Sequence, residues 1–531
     1  MANTDMKKRA FIIVLDGTGA GEGKDAAEYG DVGSFTLKSA YNSGRLNVPN
    51  MISMGLGNID GLDFLGKTEV PLAAFGKMAE RSIGKDTTTG HWEIAGIIGT
   101  EPPKVYPEGF PADMVALIEK AAGREIIVNK PYSGTKVLED YGADHLKTGK
   151  LIVYTSADSV CQIAAHIDLV PVSELHAICT RVREMLKGKY SVGRVIARPF
   201  AGEAPKFYRT EDRKDFALEP PYSVLDAIKD AGKDVISVGK ISDIFAAKGI
   251  TKSYPVHGNP DCCDAAMEVL RSDFEGLCFV NLVDTDTEFG HRRDAKGFAD
   301  CLSAFDRWLG EFVQYMREGD MLIITADHGC DPGFTGTDHT REYVPLLVYG
   351  NKLVTADLGV RATFADVAAS VSRWLGVSYD GVGTDFVEAI LPPFDADALA
   401  VTAREAMANA YAPYSMCTVG AALLCDDGTV YTGVNIENAA YSPTICAERS
   451  AFVRAINEGK RRFTAIAVCG ENTRLRIEGD LFYPCGVCRQ FMREFCGEDF
   501  KIVVTNARGS RTEIYTLGQL LPHGFGPDNV I

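Results

Sequence analysis

Three apolar runs, each delivering an acid at its end, constrain this chain more than any other feature. Residues 10–15 (Ala-Phe-Ile-Ile-Val-Leu) run into Asp16-Gly17, residues 277–283 into Asp284-Thr-Asp286, and residues 321–326 into Asp327-His328-Gly329. Short continuous apolar runs of this kind predict strands buried on both faces. Open α/β sheets carry their chemistry at the carboxyl ends of such strands. The three ends therefore predict one shared site rich in carboxylates and imidazoles.

A chain of 531 residues exceeds what a single hydrophobic core serves, so several domains are expected. Between residues 103 and 216 the character changes. Glu-Pro-Pro segments mark entry and exit, and residues 151–155 and 192–197 read as strands of their own, which predicts an inserted cap domain. Leu391-Pro-Pro-Phe-Asp marks a second boundary, followed by a helix-like stretch over 398–409 and a new series of short strands. The organisation predicted is a core from 1–102 and 217–393, a cap over 103–216, and a last domain over 397–531.

The formal net charge of −17, without blocks of Lys and Arg, excludes a polyanion-binding surface, so small-molecule substrates rather than nucleic acid are expected. Fourteen cysteines are scattered along the chain, two of them adjacent at Cys262 and Cys263, which reads as reduced thiols or metal ligands. The apolar run after the first charged residues is too short for a signal segment or a membrane span. A cytoplasmic enzyme without membrane attachment is the expectation.

An Asp before Gly is usually a turn former, and a lone His is usually a satisfied polar group. The set is more informative than its members. Asp16, Asp286 with His291, Asp327 with His328, and His339 offer oxygens and imidazoles without thiolates, a donor set suited to manganese or magnesium. The segment Lys85-Asp86-Thr87-Thr88-Thr89-Gly90-His91-Trp92-Glu93 reads either as a helix N-cap cluster or as the source of a hydroxyl nucleophile beside two divalent ions.

These motifs, Asp16-Gly-Thr-Gly, Asp86-Thr87-Thr-Thr-Gly-His-Trp-Glu, Gly290-His291-Arg-Arg-Asp and Thr337-Asp-His339-Thr-Arg-Glu, resemble those of phosphopentomutase in the alkaline phosphatase superfamily, over about residues 7–393. The resemblance implies an alkaline phosphatase-like α/β core with an inserted α/β cap. It implies one metal on Asp286, His291 and His339, and a second on Asp16, Asp327, His328 and Thr87. Thr87 would carry the phosphoryl group during interconversion of (deoxy)ribose 1- and 5-phosphates, with a sugar bisphosphate as activator. The cap would shield the phosphothreonine from water, and Ser156, Asp158, Arg194 and Lys240 would hold substrate. Rival readings are a metal-dependent phosphatase and a phosphoglycerate mutase. The latter family uses Ser as nucleophile and lacks Thr-Gly-His-Trp-Glu.

Near the end of the chain, Cys446-Ala-Glu448-Arg449 and Pro484-Cys485-Gly-Val-Cys488 form a second constellation. Three thiolates leave one tetrahedral position of a zinc ion open for water, as a catalytic zinc requires, while a fourth ligand from Cys469 or Cys496 would make the site structural. Arg449 and two helix N-termini can offset the excess negative charge. Glu448 is placed to shuttle protons.

The pattern, with Ala410-Tyr-Ala-Pro-Tyr-Ser, Val419-Gly-Ala-Ala and Gly433-Val-Asn435-Ile-Glu437-Asn438, resembles the small homotetrameric zinc cytidine deaminases over about residues 398–525. The resemblance implies a three-layer α/β/α domain, cytidine or deoxycytidine as substrate, ribose contacts from Asn435 and Glu437, and a homo-oligomer, a tetramer formed through this domain. Cys417 departs from the family, which places Phe there. Rivals are a nucleic-acid editing domain, which would need a basic channel, and one half serving only as an inactive assembly module.

Overall fold

The computed structural model describes residues 7–101, 104–156, 159–391, 394–472, 474 and 481–529. The chain divides into two compact units, Lys7–Leu391 and Pro392–Ile531.

The first unit is built on an eight-stranded sheet in the order Lys252–Tyr254, Asp234–Val238, Gly276–Leu282, Arg9–Leu15, Asp320–Thr325, Val344–Tyr349, Ala74–Met78, Asp357–Arg361. Arg9–Leu15 lies at its centre, parallel to Gly276–Leu282 on one side and Asp320–Thr325 on the other. Val344–Tyr349 is antiparallel to both of its neighbours. Alternate residues of the central strand feed two separate cores. Phe11, Ile13 and Leu15 face one with helices Asn259–Arg271 and Ala295–Phe312, and Ala10, Ile12 and Val14 face the other with Val224–Asp230 and Asp366–Leu375. Burial on both faces explains the unbroken apolar runs.

At the opposite end of the sheet from Asp16, Arg9 forms a bidentate pair with Asp320, with both N–O distances 2.7 Å and both side chains buried. Arg9 Nη1 also donates to the carbonyls of Leu270 and Ser272, which further offsets the burial of its charge.

A second, six-stranded sheet uses residues 126–217, in the order Ile126–Pro131, Leu151–Thr155, Val160–His166, Arg194–Glu203, Lys206–Arg209, with Lys214–Ala217 also pairing Arg194–Glu203. Helices Ala112–Ala122 and Val172–Met185 cover one face and Lys136–Thr148 the other. This sheet has its own core.

The last unit is a five-stranded sheet ordered Val430–Val434, Cys417–Cys425, Phe463–Asn472, Lys501–Asn506, Thr512–Thr516, in which only the Phe463–Asn472 and Lys501–Asn506 pair is parallel. Helix Ala396–Ala406 packs on one face, and Ala447–Asn457 with Gly486–Arg493 on the other, giving three α/β/α layers. Among the described residues, no helix is long and apolar enough to cross a membrane.

Candidate metal centres

The parallel register of the three central strands puts their carboxyl ends side by side. Asp16 follows Arg9–Leu15, and Asp327 and His328 follow Asp320–Thr325. Asp286 sits in a π-helical turn, Thr285–Gly290, after Gly276–Leu282. A π turn widens the local backbone and is frequent at functional sites. Ligand atoms of Asp16, Asp327 and His328 lie within 4.8 Å of one another, as do those of Asp286, His328 and His339, and those of Asp286, His291 and Cys330. His328 thus belongs to two groups, where the sequence assigned it to one, and Cys330 is an additional donor.

The donors fit divalent cations. Asp16 Oδ1 and Asp286 Oδ1 are buried without a hydrogen-bond partner, an arrangement that costs several kcal/mol unless a cation takes the lone pairs. Burial and the neighbouring Asp327 and Asp286 carboxylates push Asp16 well above its ordinary range. Histidine orientation agrees: His328 Nδ1 lies 3.1 Å from the Gly329 carbonyl and His291 Nδ1 2.6 Å from that of Thr337. With Nδ1 donating, each Nε2 presents its lone pair to the carboxylates, 3.3 Å from Asp286 Oδ2 for His291 and 3.5 Å from Asp16 Oδ1 for His328.

Thr87 begins helix Thr87–Ile94, and its Oγ1 lies 3.2 Å from His328 Nε2. Asp86 caps that helix, accepting from the amides of Thr88 and Thr89 and from Thr89 Oγ1, so the N-cap reading of this segment holds. A Cβ on Gly90 would lie 2.0 Å from the Asp327 carbonyl oxygen, so only glycine lets the helix approach this closely. The loop before it is anchored by Arg341, which donates to Glu80 and to the carbonyl of Gly84, and by Lys85, which meets Asp31 at 2.9 Å.

Four residues near this site were not singled out from sequence. Buried His91 sits between the Thr87 carbonyl at 2.8 Å and Asp327 Oδ2 at 3.1 Å. Asn281 donates to Asp16 Oδ2 at 2.8 Å, and its signal was an amide inside an apolar strand. Glu342 accepts from Gly21, Thr36 and Thr340, and burial pushes it up to about 7. Cys330 is the fourth. In the six-stranded sheet, Ser156 is half-buried and Arg194 is exposed with Asp215 at 3.5 Å, while Asp158 lies outside the described residues. Lys240 is exposed at the start of Ile241–Ile244.

In the last unit, Cys446 and Cys485 are the N-caps of Ala447–Asn457 and Gly486–Arg493, and with Cys488 their sulfurs lie within 4.8 Å of one another. Neither Cys469 nor Cys496 joins them. Both are buried in hydrophobic clusters. Hydrogen bonding from Cys488, with support from Arg449 and Cys485, holds Cys446 down to about 5, the direction a thiolate ligand needs. Arg449 reaches Cys446 Sγ at 3.8 Å. Glu448 is only 4% exposed, and burial pushes it up to about 7. Three convergent sulfurs beside a buried acid fit a zinc ion with an open position.

Asn435 is fixed by the backbone, accepting from Val419 N and donating to the Cys417 carbonyl, both at 2.8 Å. Glu437 accepts from the amides of Tyr414 and Ser415. The Cys417 sulfur accepts from Asn472 at 3.1 Å.

Comparison with known proteins follows the same division. Residues 8–379 match the Metalloenzyme superfamily, and residues 395–504 match the cytidine and deoxycytidylate deaminase zinc-binding region. The phosphopentomutase of Acetivibrio thermocellus is 52% identical over 387 residues, 72% of this chain and 100% of the relative. That of Lachnoclostridium phytofermentans is 50% identical over 384 residues, 72% of this chain and 98% of the relative. The solved cytidine deaminase of Burkholderia pseudomallei is 42% identical and covers 25% of this chain and 100% of its own, with a TM-score of 0.23. This chain therefore belongs to the phosphopentomutase family of the metalloenzyme superfamily and carries, fused behind it, a cytidine and deoxycytidylate deaminase zinc-binding domain.

Proposed function

We propose that the chain is a bifunctional enzyme of nucleoside salvage. Lys7–Leu391 would interconvert (deoxy)ribose 1-phosphate and 5-phosphate through a phosphothreonine at Thr87, and Pro392–Ile531 would hydrolyse cytidine or deoxycytidine to the uracil nucleoside and ammonia. The observation that carries the reading is the presence of two separate donor sets of opposite softness, each with one candidate reacting side chain beside it.

Manganese, with magnesium as the alternative, would be held by Asp286, His291 and His339 and by Asp16, Asp327, His328 and Thr87. Zinc would be held by Cys446, Cys485 and Cys488. When bound, the hard pair supplies positive charge to a transferring phosphoryl group and the zinc supplies a Lewis acid beside the attacking water. Thr87 Oγ1 accepts the phosphoryl group and returns it to the other sugar oxygen, with a sugar bisphosphate priming the cycle. The N-terminal amides of Thr87–Ile94 favour the negative charge that accumulates there. Ser156, Asp158, Arg194 and Lys240 bind and orient the sugar phosphate, and the cap excludes water that would turn transfer into hydrolysis. Glu448 takes a proton from the attacking water and delivers it to the ring nitrogen and then to departing ammonia. Asn435 and Glu437 bind the ribose hydroxyls.

Exposed Tyr411, Tyr414, Ile436, Tyr441 and Phe525 give the last unit an apolar surface that supports a homo-oligomer, and our reading is a tetramer formed through it. No disulfide joins the cysteines among the described residues, in keeping with the reducing, cytoplasmic setting we propose. The test of the mutase reading is mass spectrometry after incubation with a sugar bisphosphate. The peptide containing Thr87 should gain one phosphoryl group, and phosphate on another residue, or none, would refute the covalent route. For the deaminase, ammonia release from cytidine is the readout. Sedimentation showing a monomer would refute the tetramer.

A further inference from the structure

Outside the last unit, only one thiol of the described residues joins a metal-capable group. A carboxylate oxygen of Asp286, a ring nitrogen of His291 and Sγ of Cys330 lie within 4.8 Å of one another. Cys330 is 1% exposed, and its sulfur packs against the His291 ring, 3.9 Å from the Nδ1 that donates to the Thr337 carbonyl, leaving Nε2 as the nitrogen free to share a cation. Asp286 Oδ1 is buried and has no hydrogen-bond partner, so an acceptor is already aimed into the same space. The surrounding backbone confines the thiol there. A Cβ on Gly290 would fall 2.6 Å from Cys330 Sγ, and one on Gly17 would fall 2.9 Å from Cys330 Cβ and 3.2 Å from Asp286 Cβ. Two glycines therefore close around Cys330 and leave its side chain little room to turn away.

The chemistry of that donor set differs from the oxygen and imidazole set beside it. Thiolate, imidazole and carboxylate together suit zinc or cadmium far better than manganese, and zinc stands well above manganese in affinity for mixed donors. The other half of this chain carries a three-cysteine set that calls for zinc.

We propose that Cys330 makes the mutase pocket a second, thiolate-assisted zinc site, so that zinc competes with the hard cation at the centre held by Asp286 and His291. Binding is a ligand exchange. The Cys330 S–H bond breaks, its proton passes to solvent, and an S–Zn bond forms with no change of oxidation state. The inference rests on the assignment of Asp286 and His291 as metal ligands.

The experiment uses the full chain with zinc retained by its three cysteines and the mutase metals removed by mild chelation. Manganese is titrated first, and stoichiometric uptake checks the underlying assignment. Cobalt is then added to wild type and to Cys330→Ser. A thiolate-to-cobalt charge-transfer band in the near ultraviolet, present in wild type and absent in the variant, is the expected result. Cadmium affinity at the same site should be about tenfold weaker in the variant, with a smaller change for manganese. Cobalt that binds in wild type without the sulfur band overturns the proposal while leaving the metal assignment intact. Failure to take up manganese or cobalt overturns both. If the variant does not fold, the 113Cd resonance of wild type that manganese displaces decides instead. A shift in the sulfur-ligand range supports the proposal, and one in the oxygen and nitrogen range refutes it.

Discussion

Arg341→Met should destabilise the Lys7–Leu391 unit by about 3–5 kcal/mol, the usual cost of removing one partner from a buried ion pair. Arg341 is 2% exposed and donates to Glu80 Oε2 at 2.6 Å, to the Gly84 carbonyl at 2.7 Å, to the Glu80 carbonyl at 2.9 Å and to both oxygens of Asp25. Without it, buried Glu80 keeps no counter-charge, and its Oε1 already has no partner. At about 2.1 cal/mol/K per residue, 3–5 kcal/mol spread over a unit of roughly 385 residues is a fall in Tm of about 4–6 °C. Burial already pushes Glu80 well above the ordinary carboxylate range. A carboxyl with a raised folded pKa stabilises below its unfolded pKa and loses that contribution as pH rises, so the deficit of the variant should grow as pH rises above the ordinary carboxylate range. Glu80→Gln with Arg341→Met should recover at least about 1 kcal/mol, because the orphaned charge is gone. Melts followed by calorimetry, with deaminase activity as a control for the other unit, measure this. A loss below about 1 kcal/mol, or a double variant no better than the single, would refute the claim that this pair anchors the loop before Thr87.

Three further outcomes are expected. Mild chelation should abolish mutase activity and spare deamination, because oxygen and imidazole donors release a hard dication faster than three thiolates release zinc; parallel loss of both would contradict the separate donor sets. Asp86→Ala removes a cap with three acceptor contacts and should cost about 1–2 kcal/mol, along with mutase turnover, by loosening the helix turn that carries Thr87; unchanged Tm and turnover would count against it. Cys417→Phe restores the aromatic side chain of the deaminase family next to Asn435 and should lower the KM for cytidine roughly 3–10-fold at constant kcat, whereas an unchanged KM would show that this position does not meet substrate.

Much of the architecture was readable because burial on both faces writes itself into composition. The runs ending at Asp16, Asp286 and Asp327 are the three central parallel strands, and their adjacency follows from the carboxyl-end rule. The cysteine spacing was equally direct, since Cys446 and Cys485 each begin a helix and a helix start fixes where the sulfur points. What escaped depends on contacts between distant segments. His91 meets Asp327 across 236 positions only because Gly90 lets the helix sit against the Asp327 carbonyl. Arg341 joins Asp25 to Glu80 and Gly84 of another loop, and no local pattern foretells such a pairing. Cys330 lies two residues after His328, but its approach to His291 is set by the π turn and the two glycines.

The central claim is that one polypeptide holds two independent active sites, one acting through Thr87 and the other through Glu448. The most direct measurement is a paired assay on purified full chain, wild type, Thr87→Ala and Glu448→Gln, scoring ribose 5-phosphate formed from ribose 1-phosphate with manganese and ammonia released from cytidine. The account predicts that Thr87→Ala loses only the first activity and Glu448→Gln only the second, each by at least about 10³-fold, or ~4 kcal/mol of barrier. Loss of both activities in either variant, or wild type lacking one of them, would contradict it.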